Sequence, residues 1–365
     1  MIYHLLYPLR DIFFGFNVFR YITFRAACAA VTALFLTIVL GPWVIRKLYS
    51  LKIGQNIRKE ECLPLYALHR SKEGTPTMGG ILILIAILSS VLLWADLTSR
   101  WIWVTCIFVT GLGFVGAWDD YLKLKHHSSS GLRARTKFWI EVLMAVGLWV
   151  FVTWEPRLDP FSDRVTFPFL KDCFIDLGPF YLLFLIGVLV GSSNAVNLTD
   201  GLDGLAIGCV TVATIVFTGL TYVIGNIKFA SYLQIQPVVG VGELAVFCAA
   251  MAGACLGFLW YNAHPAQVFM GDTGSLALGG GLGVVALLIK QELTLFLVGG
   301  VFVIEALSVI LQVGSFKLRK KRIFAVAPLH HHFEVKGWPE TKVTVRFWIL
   351  AIIFALFSLG SLKLR

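Results

Sequence analysis

Long apolar runs without charged residues alternate along the whole chain with short polar segments. Each run approaches the roughly 20 residues that a helix needs to cross the hydrocarbon core of a bilayer. The pattern predicts ten membrane-spanning helices, at residues 22–45, 78–96, 101–119, 138–154, 177–198, 204–226, 244–262, 273–290, 293–316 and 344–362. The fourth and ninth runs are the least regular, because they contain Glu141 and Glu305. An even number of spans puts both chain ends on one side of the membrane.

The composition supports one membrane domain over residues 1–365. Of the 365 residues, 58% are hydrophobic and only 14% are charged, about half the charged share of a soluble domain. The predicted fold class is therefore an all-α integral membrane protein. Residues 1–20 are aromatic and weakly basic, which indicates an interfacial segment, and residues 155–176 are expected to form a short hairpin or a small helix. Gly-rich stretches such as Gly279–Gly283 indicate close helix packing.

The distribution of positive charge predicts the orientation of the chain. The net charge is +10, and 20 of the 31 Lys and Arg residues fall in the segments after odd-numbered spans or at the adjoining helix ends. Because Lys and Arg are enriched in cytoplasmic loops, these segments are expected to be cytoplasmic and both termini periplasmic. The main cytoplasmic segments are then 46–77, 120–137, 193–203, 262–272 and 317–343.

Two adjacent carboxylates end the third span, in the sequence WDDYLK. Asp119 and Asp120 repel each other, and a divalent cation or a nearby cation such as Lys123 removes the conflict. Oxygen ligands in the company of phosphate favour Mg²⁺. The alternative is an ordinary solvated helix end beside a basic loop.

A second polar cluster lies in NAVNLTDGLDG and contains no Lys or Arg. Asn194, Asn197, Asp200 and Asp203 recur at every third residue, which predicts one slowly drifting helical face. These side chains suit recognition of sugar and ribose hydroxyls, or a metal shell. Helix caps at a tight chain reversal are the alternative.

Two motifs place polar groups where a span begins. Asp272, in MGDTGS, is either an N-cap or a Mg²⁺ ligand beside backbone N–H groups that favour phosphate. In TPTMGG, Thr77 follows Lys72 and again suits phosphate at a helix start. Lys137, at the start of the fourth span, adds positive charge.

The last cytoplasmic segment carries PLHHHFE after a basic run. Three consecutive histidines, His330, His331 and His332, cannot easily bind one metal, so donation to phosphate oxygens is favoured over zinc. In the ninth span Glu305, Ser308 and Gln312 share a stripe for which hydrogen bonds between helices are the favoured role.

These five motifs together resemble the polyprenyl-phosphate N-acetylhexosamine-1-phosphate transferase family, from Lys72 to Glu334 and in the same order. PLHHHFE favours the muramoyl-pentapeptide branch over the N-acetylglucosamine branch. The resemblance implies transfer of phospho-N-acetylmuramoyl-pentapeptide from its UDP-activated form to undecaprenyl phosphate, giving lipid I and UMP. It also implies Mg²⁺, a bacterial inner membrane, contact with membrane lipids and a homodimer, and it implies no nucleic acid.

The expected catalytic residues, which are also the expected Mg²⁺ ligands, are Asp119, Asp120 and Asp272. The expected substrate-binding and phosphate-binding residues are Lys72, Thr77, Lys123, Lys137, Asn194, Asn197, Asp200, Asp203, Asn262, Gln312, His330, His331 and His332.

A phosphate nucleophile has a second pKa near 6, so it is largely dianionic at neutral pH and needs no strong base. We therefore favour direct attack by the lipid phosphate over a phospho-aspartyl intermediate. Two other functions are kept as alternatives: an N-acetylglucosamine-1-phosphate transferase of the same family, and a divalent cation transporter. A transporter is disfavoured because its carboxylates are expected near the bilayer midplane, whereas these end the spans.

Overall fold

The computed structural model of the chain describes residues 1–51, 72, 74–125, 131–156, 158, 162–170 and 173–362. Helices dominate these residues. The α-helices are α1 (Ile2–Leu6), α2 (Ile22–Ser50), α3 (Gly80–Trp94), α4 (Arg100–Lys125), α5 (Ala134–Trp154), α6 (Tyr181–Thr199), α7 (Leu205–Ile224), α8 (Ile227–Tyr232), α9 (Leu244–Asn262), α10 (Gly271–Leu288), α11 (Glu292–Val298), α12 (Gly300–Arg319), α13 (Leu329–Val335) and α14 (Glu340–Ser361). Short 3-10 turns lie at Tyr7–Asp11, Phe14–Arg20, Gly178–Phe180 and Val241–Glu243.

Nine helices in this part of the chain are long and apolar enough to cross a membrane: α2, α4, α5, α6, α7, α9, α10, α12 and α14. The protein is therefore an all-α, multi-pass membrane protein, as predicted. The predicted second span corresponds to α3, which has only 15 residues and is about 22 Å long. The prediction of one unbroken ninth span is wrong, because α11 and α12 are separate helices that meet at Gly299 and Gly300. Two consecutive glycines are poor helix formers.

The shortness of α3 has a local cause. The chain before it pairs with the segment before α10. Phe269 N donates to Pro76 O at 2.8 Å, and the N–H groups of Gly79 and Gly80 donate to the carbonyls of Phe269 and Met270, both at 2.9 Å. This pairing brings the beginnings of α3 and α10 side by side.

Helices α9 and α10 are the most buried of the spanning helices and lie at the core of the molecule. In their most apolar windows, 83% and 89% of the residues are buried. Helices α2 and α7 pack on α9, and helices α4 and α6 pack on α10. A Cβ atom at Gly279 would collide with the backbone of Ser192 and Ser193 in α6, and one at Gly280 would collide with Leu112 in α4. These glycines allow close helix packing, as the sequence indicates.

Polar groups concentrate at one end of the bundle, which we call the site end. It contains the ends of α2, α4, α6, α9 and α12 and the beginnings of α3, α5, α7, α10 and α14. At the opposite end, the Met1 amino group donates to Leu92 O at 2.6 Å. The opposite end also carries a two-stranded antiparallel hairpin, β1 (Arg164–Thr166) and β2 (Phe174–Asp176). A hairpin was one of the two structures expected there.

Several predicted polar segments are shorter than expected, because the helices continue beyond their apolar runs. The segment 193–203 is mostly helical, since α6 ends only at Thr199. The prediction of one helical face for all four polar residues is therefore wrong for Asp200 and Asp203, which lie in the turn after α6. Likewise α4 continues to Lys125, and the segment 317–343 contains α13. Most of the predicted segment 46–77 lies outside the described residues.

Candidate active site

Three carboxylates from two helices meet at the site end. Asp119 and Asp120 lie in the last turns of α4, and Asp272 lies in the first turn of α10. Asp119 is only 4% exposed and Asp120 only 3%. One oxygen from each carboxylate lies within 4.8 Å of the others. The structure thus brings together residues that are 153 positions apart in the chain.

Two lysines partly balance this negative charge. Lys123 Nζ lies 2.5 Å from Asp119 Oδ2, 3.1 Å from Asp272 Oδ1 and 3.8 Å from Asp120 Oδ1. Lys137 Nζ, from α5, donates to Asp272 Oδ2 at 2.9 Å. Three carboxylates and two ammonium groups leave one excess negative charge, which attracts a cation.

Asp120 has a structural task that the sequence does not reveal. Its carboxylate accepts hydrogen bonds from Asp272 N at 3.3 Å, from Thr273 N at 3.0 Å and from Thr273 Oγ1 at 2.7 Å. It therefore caps the N-terminus of α10 from a neighbouring helix, where a negative charge is favoured. The interpretation of Asp272 as the N-cap is wrong, because the N-cap residue is Met270 and Asp272 follows inside the first turn.

Asp119 faces a different part of the site. Its Oδ1 accepts a hydrogen bond from Leu132 N at 2.8 Å, which ties the segment before α5 to the end of α4. A Cβ atom at Gly131 would collide with the Asp119 carboxylate. Small size at Gly131 and the backbone bond at Leu132 therefore fix the position of Asp119.

The donor set fits a hard divalent cation. Asp119, Asp120 and Asp272 offer only carboxylate oxygens, the ligands that Mg²⁺ prefers, and no sulfur or imidazole competes at this cluster among the described residues. Thr77 approaches the same place: a Cβ at Gly271, where φ is +71°, would meet both Thr77 Oγ1 and Asp120 Oδ2. Glycine is needed here both for the left-handed backbone and for the space.

A second polar cluster lies nearby, around Asp203. Lys72 Nζ donates to Asp203 Oδ1 at 2.7 Å and to Glu340 Oε1 at 2.5 Å. His264 Nδ1 lies 3.0 Å from Asp203 Oδ2 and 3.5 Å from Glu340 Oε2. Sequence reasoning missed His264 and Glu340. The available signals were weak: a histidine in the predicted segment 262–272, and a glutamate beginning the last span after a proline.

Asp200 lies between the two clusters. Loss of hydration around its carboxyl group raises the pKa of Asp200 to about 8, and repulsion by Asp272, Asp120 and Asp203 acts in the same direction. The backbone N–H of Gly271 partly opposes this rise. At neutral pH, in the absence of a bound cation, Asp200 is therefore mostly protonated and is a hydrogen-bond donor.

The two asparagines of the same motif hold α6 against its neighbours. Asn194 Nδ2 donates to Glu141 Oε2 in α5 at 2.7 Å, and Ser275 Oγ in α10 donates to Asn197 Oδ1 at 2.7 Å. Glu141 is 1% exposed, so its partner relieves the cost of burying a carboxylate within a span. Both asparagines lie near the first cluster, but the side-chain atoms named above are hydrogen-bonded to Glu141 and Ser275.

The three histidines have three different environments. His330 is fully buried, with Nδ1 3.2 Å from Glu305 Oε2, and a Cβ at Gly201 would collide with its ring. His331 Nδ1 lies 2.7 Å from Glu334, and His332 Nδ1 accepts a hydrogen bond from Ala325 N at 3.1 Å. Of the three, His330 is the one that reaches the turn carrying Asp200 and Asp203.

Two other predicted substrate-binding residues hold the backbone together. Asn262 accepts from Gly204 N at 3.1 Å and donates to Val268 O at 2.9 Å, and it is 3% exposed. Gln312 binds the backbone of Ile323 and Phe324 through three hydrogen bonds. Glu305 accepts hydrogen bonds from the N–H groups of Leu329 and His330 and so caps α13 from α12, which confirms the predicted bonds between helices for this residue. For Gln312 that interpretation is wrong, because its partners lie in the irregular chain after α12.

Comparison with known proteins agrees with this architecture. The model of glycosyl transferase family 4 matches residues 101–290, just over half of the chain, and a phospho-N-acetylmuramoyl-pentapeptide-transferase signature matches residues 72–84. Curated proteins named phospho-N-acetylmuramoyl-pentapeptide-transferase align over the full length of both chains. They include proteins from Thermodesulfovibrio yellowstonii at 54% identity, Koribacter versatilis at 52% and Nitratidesulfovibrio vulgaris at 55%.

The matched regions contain both polar clusters in large part. Residues 101–290 include all three clustered carboxylates, and the signature runs from Lys72 of the second cluster through Thr77 beside the first. The family resemblance that the sequence motifs carry is confirmed. The chain therefore belongs to glycosyl transferase family 4, and within that family its full-length similarity is to phospho-N-acetylmuramoyl-pentapeptide-transferases.

Proposed function

We propose that the protein transfers phospho-N-acetylmuramoyl-pentapeptide from UDP-N-acetylmuramoyl-pentapeptide to undecaprenyl phosphate, producing lipid I and UMP for peptidoglycan synthesis. The observation that carries the proposal is the full-length identity of 52–55% to curated enzymes of that name. The geometry is consistent with it, since the signature segment runs from one polar cluster to the other. This is the arrangement that a reaction between two phosphate-bearing substrates requires.

The reaction exchanges one bond to phosphorus for another. An oxygen of undecaprenyl phosphate attacks the sugar-linked phosphorus of the UDP-sugar, and the bond from that phosphorus to the bridging oxygen breaks, so that UMP leaves with the electron pair. Such transfers need mainly positioning and charge stabilisation. We prefer this direct attack because the lipid phosphate is already largely dianionic at neutral pH.

We assign distinct tasks to the three clustered carboxylates. Asp272 and Asp119 would hold Mg²⁺, and Asp120 would fix the N-terminus of α10 so that Asp272 stays in place. When bound, Mg²⁺ would neutralise charge on the diphosphate and on the departing UMP. Lys123 and Lys137 would add positive charge at the same place, where they already contact the carboxylates.

We assign the nucleotide end of the UDP-sugar to the second cluster. Asp203, Glu340, His264 and Lys72 offer charged and neutral donors and acceptors within one small region. Asp200 lies between the clusters and would lose its proton when Mg²⁺ binds nearby, so that it would accept a hydrogen bond from a ribose hydroxyl. His330, which packs on the turn at Gly201, would hold that turn in position.

We further propose that the site end faces the cytoplasm, that the membrane is the bacterial inner membrane, and that the protein forms a homodimer. The excess of Lys and Arg at the site end supports the orientation. Labelling of single introduced cysteines with a membrane-impermeant maleimide in intact and opened cells tests it. Mass measurement of the protein in nanodiscs tests the dimer.

The function is tested by UMP release from the purified protein in bilayers containing undecaprenyl phosphate. We expect Mg²⁺-dependent release with UDP-N-acetylmuramoyl-pentapeptide, and at least about 100-fold less with UDP-N-acetylglucosamine, because a site that binds a polar group rejects the substrate that lacks it. Equal use of UDP-N-acetylglucosamine would instead support the other transferase of the family. Mg²⁺ flux without UMP release would support a transporter.

Substitutions test the assigned residues. Asp272→Asn removes one negative charge from the cluster and should lower both turnover and Mg²⁺ affinity by at least about 100-fold, the cost of losing a buried charged partner. Near-normal turnover in the Asp119→Asn, Asp120→Asn and Asp272→Asn variants together would refute the site assignment. Trapping a radiolabelled phospho-enzyme in the absence of undecaprenyl phosphate would overturn direct attack.

A further inference from the structure

The end of α12 carries the most concentrated positive charge in the described part of the chain. Five of the six residues from 317 to 322 are basic, namely Lys317, Arg319, Lys320, Lys321 and Arg322, and we call them the basic turn. All five are exposed. None has a carboxylate within 4.0 Å among the described residues, whereas Lys72, Lys123 and Lys137 are each paired with carboxylates of the site. The five basic side chains are therefore not paired with the carboxylates of the candidate active site.

The basic turn has a defined shape. Helix α12 ends at Arg319, and the C-cap residue Lys320, with φ of +55°, reverses the chain. Ser315 Oγ then donates to Lys321 O at 2.9 Å, and Gln312 accepts from the N–H groups of Ile323 and Phe324 at 3.0 and 2.9 Å. The chain after the turn is thus fastened back onto α12, so the five charges are displayed on an ordered surface.

Apolar side chains accompany these charges. Phe316 is 50% exposed, Leu318 is 86% exposed and Ile323 is 54% exposed, although each could lower its free energy by leaving water. Such a mixture of basic and large apolar residues is typical of segments that lie at a membrane surface. Soluble anionic substrates would not require the apolar part.

Helix α12 itself is a peripheral helix. Only 22% of its most apolar window is buried, against 89% for α10. Ile304, Leu307 and Ile310 are exposed along it, so its outer face is left for lipid. The basic turn begins in the last turn of this lipid-facing helix, at the depth where headgroups meet a membrane-spanning helix.

We propose that the basic turn, together with Phe316, Leu318 and Ile323, is a docking surface for the headgroups of anionic phospholipids. The phosphate of a lipid such as phosphatidylglycerol would contact the Lys and Arg side chains, and the three apolar side chains would enter the adjoining acyl region. Clusters of four to eight basic residues beside a membrane-spanning helix act in this way. This surface is separate from both polar clusters and does not depend on the proposed reaction.

The main test measures lipid selectivity without using catalysis. The full-length protein is reconstituted in phosphatidylcholine bilayers with a trace of spin-labelled phosphatidylglycerol or spin-labelled phosphatidylcholine. Electron spin resonance then gives the fraction of each probe that is immobilised by the protein. The test variant carries Lys317→Gln, Arg319→Gln, Lys321→Gln and Arg322→Gln, and leaves Lys320 to end the helix. The matched control carries Arg46→Gln and Lys47→Gln, two exposed basic residues in the last turns of α2 at the same end of the bundle.

We expect the wild type to immobilise phosphatidylglycerol in preference to phosphatidylcholine. In the test variant this preference should fall by a factor of at least about five, which corresponds to the contribution of one basic residue near an anionic surface. The control should keep most of the preference, and 0.5 M salt should weaken the preference of the wild type. If the test variant cannot be purified in folded form, the double variant Lys321→Gln/Arg322→Gln should show a smaller loss in the same direction.

Four results would overturn the proposal. One is an absence of selectivity in the wild type, and another is selectivity that the test variant retains. The third is an equal loss in the control, which would mean that any basic helix end suffices. A rise in KM for the nucleotide or for undecaprenyl phosphate in pure phosphatidylcholine bilayers would also overturn it, since the turn would then bind substrate phosphate.

Discussion

The cap that Asp120 forms on α10 can be tested with one isosteric substitution, Thr273→Val. This change deletes the hydroxyl group that donates to Asp120 Oδ2 at 2.7 Å and adds a methyl group of nearly the same volume. Thr273 is 1% exposed, so water cannot easily replace the lost donor. The two backbone donors, from Asp272 and Thr273, remain. The perturbation is therefore confined to one charged hydrogen bond.

The expected size follows from that geometry. A hydrogen bond to a charged group contributes about 1.5–3 kcal/mol, and each 1.4 kcal/mol corresponds to a tenfold change in an equilibrium or a rate. If the cap holds Asp272 in its working position, the full cost appears in the site. We expect turnover to fall by about 10- to 100-fold, together with weaker activation by Mg²⁺. Thermal stability should fall by less, because the rest of α10 is unchanged.

The control is Thr105→Val in α4. Thr105 is equally buried, but its hydroxyl donates within its own helix, to Trp101 O at 2.9 Å. Its loss should change turnover by less than about twofold, because the acceptor carbonyl keeps its helical bond. UMP release over a range of Mg²⁺ concentrations separates the two variants. Equal effects of the two substitutions, or unchanged Mg²⁺ activation in Thr273→Val, would refute the positioning role of the cap.

The remaining predictions concern three other places. Gly201→Ala places a Cβ against the ring of His330, so we expect kcat/KM to fall by at least about tenfold from displacement of the turn. Gly187→Ala, in the helix that precedes this turn and facing open space, should change kcat/KM by less than about twofold. Similar values for both variants would contradict the close contact. Asp200 has a pKa of about 8, so it is mostly protonated at pH 7.5, and a cation bound nearby should lower that pKa. Calorimetry in buffers of different ionisation enthalpy should therefore detect release of up to about 0.7 proton when Mg²⁺ binds. The Asp200→Asn variant should release correspondingly less. Release that Asp200→Asn leaves unchanged would assign the proton to another group. Lys290→Met, at the opposite end of the bundle, removes the cation that lies 3.2 Å from the buried carboxylate of Glu292. We expect the free energy of unfolding to fall by about 3–5 kcal/mol. A melting temperature unchanged within about 2 °C would contradict this prediction.

The sequence predicted the membrane class and the location of the three carboxylates at one end of the bundle, because both depend on positions along helices. Charge-free runs locate the spans, and carboxylates at the ends of spans on one side must gather at one end of the bundle. Asp119, Asp120 and Asp272 illustrate this: their oxygens lie within 4.8 Å of one another, although the chain between them crosses the bundle several times. Prediction succeeded for features that depend only on which helix ends lie on the same side of the membrane.

Prediction failed where tertiary contacts decide the local structure. The shortness of α3 depends on backbone pairing of residues 76–80 with residues 269–270, which no hydrophobic pattern reveals. His264 and Glu340 join Asp203 only because two distant helix ends converge there. Asn262 and Gln312 bind backbone groups in this structure, and the sequence alone does not reveal those contacts. Their predicted contact with substrate stays a prediction.

The adjacent pair Asp119 and Asp120 shows most clearly what packing adds. Successive side chains on a helix diverge by about 100°, so the two carboxylates must face different neighbours. Asp120 faces the beginning of α10, where three hydrogen bonds hold it, and Asp119 faces Leu132 and the flexible ammonium group of Lys123. A carboxylate fixed by three donors cannot change partners without releasing the helix that carries Asp272. Asp119 can exchange the lysine for a metal ion or for a proton at much smaller cost, so of the two it is the one suited to respond when substrate binds.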